Sequence, residues 1–507
     1  MKYHHIKTAV LLILTPHILH VDAMDSFVGA VYEHNVTYPA DRGTLVTRRQ
    51  ALNVMFKNLA VFAEQANLAA SRNAQIIVFP EYGIYGLGWT RQTMLPYLEY
   101  IPDPAASTWN PCNSSKPFDS EVQTELSCIA KTHSIYLVAN MGATLPCQPG
   151  DTLCPDDHRY QYCSNVVYAP NGDFIARYFK YNLNKEEFSY FDKPAVVNYT
   201  KFTTPFGTFA TFCSNDIMHE EPTVTLIKKM NITNIVFPSA WREQLPLMSA
   251  IEFHSAFAEG MLINLLAANL HLQPLGYYGS GLYWPTGTSV NASYYYNDAV
   301  GSGGSLVVDK LTPFIIPPRR TMPIQYKRQH DVFSRNKDKV DVNLTQKISI
   351  NGDLSTSVLI NGDLYTTVLI SDDAGMKTVC QRTLCCSVQY EGGFSASLYA
   401  FGAFDGMHTA DDTYYLQACV LIKCANNTAE SCGQPTKQAE SYVDKMGMQG
   451  NFSTPYQYPE VLTIIDGKPS LVTEIWLYQG SIIIDVGLYG AALTVGIMAR
   501  DYNKDSR

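Results

Sequence analysis

The sequence predicts an α/β protein whose last third turns β-rich, and three observations carry that reading. Buried-strand runs alternate with helical periods up to about residue 310, a carboxylate stands at the exit of a short apolar run, and beyond residue 350 the periods are almost all of strand type. With 507 residues and 46% apolar content, the chain can bury a large core and divides naturally into two units.

The elements follow in order. SFVGAVYE at 26–33 reads as a buried strand, and Leu52, Met55, Leu59, Phe62 and Ala66 then recur by threes and fours, one face of an amphipathic helix. The apolar run at 76–79 ends in Pro80-Glu81, which places a glutamate at the mouth of a short strand. Strands are expected at 135–142 and over 165–180, where Asn171-Gly172 is a hairpin turn that Lys180 closes. The alternation continues through 208–217, 234–241, a helix at 252–261 and a strand at 263–270. This first domain spans 24–310, and a charge-rich stretch within 311–350 marks a linker or long loop. From 351 to 507 a β-rich domain is expected, opening on the tandem NGDLSTSVLI and NGDLYTTVLI. An even period keeps the same side chains on one sheet face, so the repeat suits successive strands joined by Asn-Gly turns.

Residues 1–23 combine Lys2, Lys7, the run AVLLIL and the small-residue exit VDA, the pattern of a cleaved secretory leader. Eight glycosylation sequons, at Asn35, Asn113, Asn198, Asn231, Asn291, Asn343, Asn426 and Asn451, agree with secretion. No other stretch offers a clean apolar run long enough to span a bilayer. The net charge of -9 and scattered Lys and Arg argue against nucleic acid and leave small molecules as the expected partners; oligomeric state is not readable. Twelve cysteines in a secreted chain imply disulfides, in an N-terminal group of six and a C-terminal group of six. Adjacent Cys385 and Cys386 do not bridge each other comfortably, so they need separate partners or one stays free. No zinc-type spacing of Cys and His is present, and no metal is expected.

Glu81 in VFPEYGIYG and Lys180 in ARYFKYNL are two thirds of a Glu-Lys-Cys catalytic set, in which the carboxylate takes a thiol proton, the thiolate attacks an amide carbonyl and the ammonium stabilises the oxyanion. Together with AVYEHNV (30–36), FPSAW (237–241), EFHSAFAEGM, GSGLYWP (279–285), TVCQRTLCC (378–386) and AFGAFDGMHT (400–409), these motifs resemble the vanin and biotinidase branch of the nitrilase, or carbon-nitrogen hydrolase, superfamily. The resemblance covers nearly the whole chain after residue 23. It implies a nitrilase-type α-β-β-α sandwich followed by a β-rich base domain, with Glu81 as general base and Lys180 as oxyanion lysine. It also implies hydrolysis of a small vitamin amide of the pantetheine or biocytin class, with no cofactor.

The third residue departs from the pattern. Relatives read Cys-Phe-Asp-Ile at the nucleophile elbow; anchoring on Asp216-Ile217 and on FGTF (206–209) puts Ser214 in that slot and Cys213 one residue early. A shift of one on a strand turns a side chain to the opposite face. Two readings therefore stand. In one, the chain is an amidase using a rearranged Cys213, whose thiol a neighbouring lysine would make fast to alkylate, or Ser214 with weak turnover. In the other, it resembles the symplectin-like squid photoproteins, which hold dehydrocoelenterazine through a C-terminal-half cysteine, here Cys386 or Cys385.

Overall fold

The computed structural model describes residues 26–114, 117–285, 290–312, 355–472, 476–478, 480–484 and 487–505. The expected leader, Asn343 and nearly all of the expected linker lie outside the described residues.

Two six-stranded sheets form the first half of the chain. The first runs in the order β12-β1-β2-β3-β4-β5, from β1 (Phe27–Glu33), β2 (Ile76–Val78), β3 (Tyr136–Pro146), β4 (Arg159–Tyr168), β5 (Phe174–Phe179) and β12 (Ser305–Leu311). The second runs β11-β10-β9-β8-β7-β6, from β6 (Lys201–Thr204), β7 (Gly207–Thr211), β8 (Asn234–Pro238), β9 (Asn264–Ala268), β10 (Ser280–Pro285) and β11 (Val290–Tyr295).

Each central strand divides its side chains by period two. Val31, Ile76, Val78 and Val138 of the first sheet meet Phe209, Val236, Leu266 and Leu282 of the second in one dry core. Their neighbours Ala30, Ile77, Leu137, Ile235, Phe237 and Leu265 turn outward onto helices. Strands covered on both faces cannot alternate apolar with polar, which is why these segments read as continuous apolar runs.

Helices α1 (Arg48–Ser71) and α2 (Glu121–His133) pack together outside the first sheet, and α3 (Ala250–Met261) lies outside the second, completing an α-β-β-α sandwich. Helix α1 starts at a capping box. The Thr47 hydroxyl accepts the Gln50 backbone N–H at 3.3 Å, and the Gln50 side-chain oxygen accepts the Thr47 N–H at 2.9 Å. Four of the five predicted stripe residues, Met55, Leu59, Phe62 and Ala66, are buried and Leu52 is half-buried, with Phe62 stacked on Phe79 at 3.9 Å between ring centroids. The expected strand over 208–217 is shorter: β7 stops at Thr211, because Ser214 takes a left-handed φ of 38° and turns the chain into a short 3-10 turn (Ser214–Met218).

The C-terminal region is a sandwich of a seven-stranded and a five-stranded sheet, all antiparallel. The decapeptide repeat forms a hairpin of Thr356–Ile360 and Asp363–Ile370. Asn361 (φ 48°) and Gly362 (φ 89°) make the two-residue left-handed turn that such a dipeptide favours.

Five disulfides join Cys112–Cys128, Cys147–Cys154, Cys380–Cys385, Cys386–Cys419 and Cys424–Cys432, leaving Cys163 and Cys213 as free thiols. Of the two alternatives for Cys385 and Cys386, separate partners is the one observed, and neither keeps a free thiol. The two sit side by side on one strand, so their side chains leave opposite faces: Cys385 meets its register partner Cys380 across a hairpin, and Cys386 turns inward to Cys419 on the facing sheet. Of the sequons, Asn35, Asn113, Asn231, Asn291, Asn426 and Asn451 are exposed and Asn198 is half-buried. Asn451 spends its amide nitrogen on Thr383 O at 3.1 Å.

The two halves meet where α3 lies against the strand Gln457–Ile465. Gly260 makes that approach possible: a Cβ there would sit 2.1 Å from Gln457 O, a backbone atom with no room to yield. Gly260→Ala is expected to lower the unfolding free energy by about 1–3 kcal/mol, read as a shifted denaturant midpoint.

On the same side, His408 bridges Asp363 at 2.8 Å and Asp411 at 2.9 Å. Burial pulls the imidazole down, but hydrogen bonds to the two carboxylates outweigh it and hold the pKa at about 9 against an ordinary 6.5. A folded pKa above the unfolded one stabilises fully below the unfolded value and is lost as pH rises through the folded one. Stability should accordingly fall between pH 6.5 and about 9, and His408→Gln should flatten that part of the curve.

A buried ion triad behind an interdomain pocket

Three strand ends and the middle of a fourth strand converge on one buried cluster. Glu81 follows β2, Lys180 follows β5, Cys163 lies within β4, and Cys213-Ser214 follow β7. All are at most 6% exposed. Lys180 Nζ donates to Glu81 Oε1 at 2.9 Å and to both oxygens of Glu187 at 2.8 Å. Glu187 also accepts from the Tyr82 hydroxyl and, at 2.8 Å, from the Asn184 N–H.

The electrostatics follow from this geometry. Burial opposes the charge on Lys180, yet the carboxylates of Glu187 and Glu81 on either side outweigh it and push the ammonium well above the usual lysine range. Burial raises Glu187, and Lys180 offsets part of that rise. Glu187 and Cys163 are the members that sequence reasoning missed. Glu187 belongs to the run Asn184 to Glu187, which reads as solvated surface until its loop folds back over Lys180.

A polar network holds the strand ends in register. Asn140 on β3 accepts the Tyr82 N–H at 3.2 Å and donates to Cys163 Sγ at 3.2 Å and to Asn165 Oδ1 at 3.0 Å. Asn165 in turn donates to Thr211 Oγ1 at 2.9 Å and Phe212 O at 3.3 Å, tying β4 to the end of β7. Asp216 then locks the elbow to the lysine loop: it accepts the Cys213 N–H at 3.2 Å, the Tyr178 hydroxyl at 2.8 Å and the Asn182 N–H at 2.9 Å. Tyr178 and Asn182 stand two residues to either side of Lys180, so the elbow and the ammonium are carried by one frame.

The elbow turns its two candidate residues in opposite directions. Cys213 is extended, with φ -140°, and points inward, with Cys163 and Glu81 as its neighbours. Burial, the hydrogen bond with Cys163 and the charge of Glu81 together push its thiol well above the ordinary range. The expected lowering of this thiol by the lysine is thereby corrected, because desolvation, the Cys163 thiol and the Glu81 carboxylate outweigh it. Ser214, in its left-handed conformation, points the other way and lines a cavity of about 310 Å³. Its hydroxyl oxygen accepts the Ala240 N–H at 2.7 Å, which leaves its own proton free to be given away. Glu81, Lys180 and Cys213 do not reach the cavity wall.

Asn215, Trp241, Arg242 and Tyr277 continue that wall, and the C-terminal sandwich closes it with Ala410, Asp411 and Asp412. Asp412 accepts from Asn215 at 2.8 Å and pairs with His219 at 2.6 Å, Asp411 accepts from Gln244 at 2.9 Å, and Lys185 reaches Thr409 O and Ala410 O. The pocket thus belongs to both halves of the chain.

Residues 50–293 match the carbon-nitrogen hydrolase family model, and residues 356–505 match the vanin C-terminal domain. Among curated proteins, a pantetheinase of Mus musculus is 37% identical over 96% of this chain and 91% of its own length. The pantetheine hydrolase VNN2 of Homo sapiens is 38% identical over 99% of this chain and 92% of its own. A biotinidase of Mus musculus is 38% identical over 86% of this chain and 85% of its own. With both halves matched in order and relatives aligned along almost their whole lengths, the chain belongs to the vanin and biotinidase family of carbon-nitrogen hydrolases.

Proposed function

We propose that this protein is a secreted amidase acting on a small vitamin-type amide of the pantetheine or biocytin class, with the Ser214 hydroxyl standing where relatives present a thiol. The observation that carries the reading is the buried triad Glu81–Lys180–Glu187, framed by Asp216 onto an elbow whose next residue faces the pocket. Two carboxylates and an ammonium out of water are costly to maintain, and acyl chemistry gives them a use. A cavity of about 310 Å³ is at the small end of ligand sites, which suits a small amide.

In the proposed reaction the bound substrate parts the wall between the cavity and the triad, so that Glu81 takes the Ser214 proton as Oγ attacks the amide carbonyl and the Lys180 ammonium stabilises the oxyanion. The amine leaves with the proton returned by Glu81, and water then hydrolyses the acyl-serine with Glu81 again as base. A hydroxyl ionises far less readily than a thiol and one carboxylate is a weak base for it, so turnover is slow. The leader-like residues 1–23, five disulfides and six exposed sequons support an extracellular setting. A chromophore held through Cys385 or Cys386 has no such support, since both sulfurs are in disulfides.

Ser214→Cys is expected to raise kcat/KM for pantetheine or biocytin, because a thiol ionises far more readily than a hydroxyl in the same position. Glu81→Gln should lower it by about a hundredfold or more. Unchanged turnover in Glu81→Gln, or loss in Cys213→Ala with none in Ser214→Ala, would remove the proposal.

A further inference from the structure

The two cysteines that escape the disulfides are not scattered. Cys163 comes from β4 in the first sheet and Cys213 from the exit of β7 in the second, and the fold brings their sulfurs and a carboxylate oxygen of Glu81 within 4.8 Å of one another, all fully buried. Glu81 is also half-used. Its Oε1 accepts from Lys180 at 2.9 Å and from Cys163 at 3.3 Å, whereas Oε2 has no hydrogen-bond partner among the described residues. An unpartnered carboxylate oxygen in a fully buried cluster is expensive unless something binds there.

We propose that Cys163, Cys213 and Glu81 form a site for a soft divalent cation of the zinc type, two thiolates and one carboxylate supplying the donors. Sulfur and oxygen donors in that mixture suit zinc, with three protein ligands and a fourth position left open. Zinc–sulfur bonds of about 2.3 Å and zinc–oxygen bonds of about 2.1 Å put tetrahedral donors roughly 3.5 Å apart. Donors within 4.8 Å of one another have to draw together by about 1 Å to close on an ion.

Charge balance favours the exchange. Binding releases two thiol protons as one dication enters, so the cluster of Glu81, Glu187 and Lys180 keeps its net charge and needs no new counter-ion. The ligands already have their outer partners: Lys180 orients Glu81, and Asn140 donates to the Cys163 sulfur at 3.2 Å. No local spacing announces the site, because its three ligands lie 82 and 50 residues apart (163 − 81; 213 − 163). A bound ion would occupy the proposed general base, making it an inhibitor of the hydrolysis proposed above. The donor set stands independently of whether that hydrolysis occurs.

The test uses the full-length protein, purified without chelator and equilibrated with zinc chloride or, separately, cadmium chloride. One ion per chain is expected, with two protons released on binding and ultraviolet thiolate-to-cadmium charge-transfer absorption. Cys163→Ser and Cys213→Ser should each abolish the two-thiolate signature, and Ser214→Ala should keep it even where hydrolysis is lost, which separates this proposal from the catalytic one. If a serine variant fails to fold, the wild-type proton count and absorption still decide. Wild-type protein that takes up no ion while both thiols titrate in denaturant overturns the proposal. So does a chain lighter by two hydrogens whose peptide map joins Cys163 to Cys213.

Discussion

The arrangement depends on one buried cation. Lys180 is enclosed by two carboxylates at hydrogen-bond distance, and each of these ions forgoes several kcal/mol of hydration that only its neighbours return. Taking away the ammonium would strand two negative charges in a dry interior, a change on the order of 3–5 kcal/mol for a broken buried pair. That constraint explains why so many neutral polar groups gather nearby. Tyr82 on Glu187 and the Asn140–Asn165 relay are the partners that let a charged cluster persist between two apolar sheets.

The second constraint is the elbow. A left-handed non-glycine residue costs on the order of 1–3 kcal/mol and persists where its surroundings over-determine it. Here Asp216 holds the Cys213 N–H, Ala240 donates to the Ser214 hydroxyl, and Asp412 from the other half of the chain grips Asn215 beside it. The C-terminal sandwich is consequently part of the site. Arg500, fully buried, reinforces the join by donating to Met218 O at 2.8 Å while pairing with Asp505 at 2.7 Å.

Much of this was legible in the sequence, and the remainder was hidden for physical reasons. The sandwich strands announced themselves as uninterrupted apolar runs because both faces are covered, and Asn361-Gly362 announced its hairpin through the backbone it requires. Glu81, Lys180 and the one-residue offset at the elbow came from motif and register. Helix α2 has no counterpart in the expected elements although Val122, Leu126, Ile129 and Ala130 share a buried face, because an apolar period this short is a weak signal. Glu187, Cys163 and the Asp411–Asp412 wall depend on long-range contacts that leave no local period. The identity of the partners of Cys385 and Cys386 was open in the sequence, because Cys380 is fixed by hairpin register and Cys419, 33 residues beyond Cys386, by the packing of one sheet on the other.

Which side chain faces the pocket sets the chemistry, and the identity of the acylated residue decides it. The protein would be incubated with an activated ester of pantothenic acid or biotin, quenched in acid and mapped by peptide mass spectrometry. An acyl group on Ser214, absent when Glu81 is replaced by glutamine, is the predicted result. Acylation of Cys213 or Cys163, with Ser214 unmodified, would contradict it.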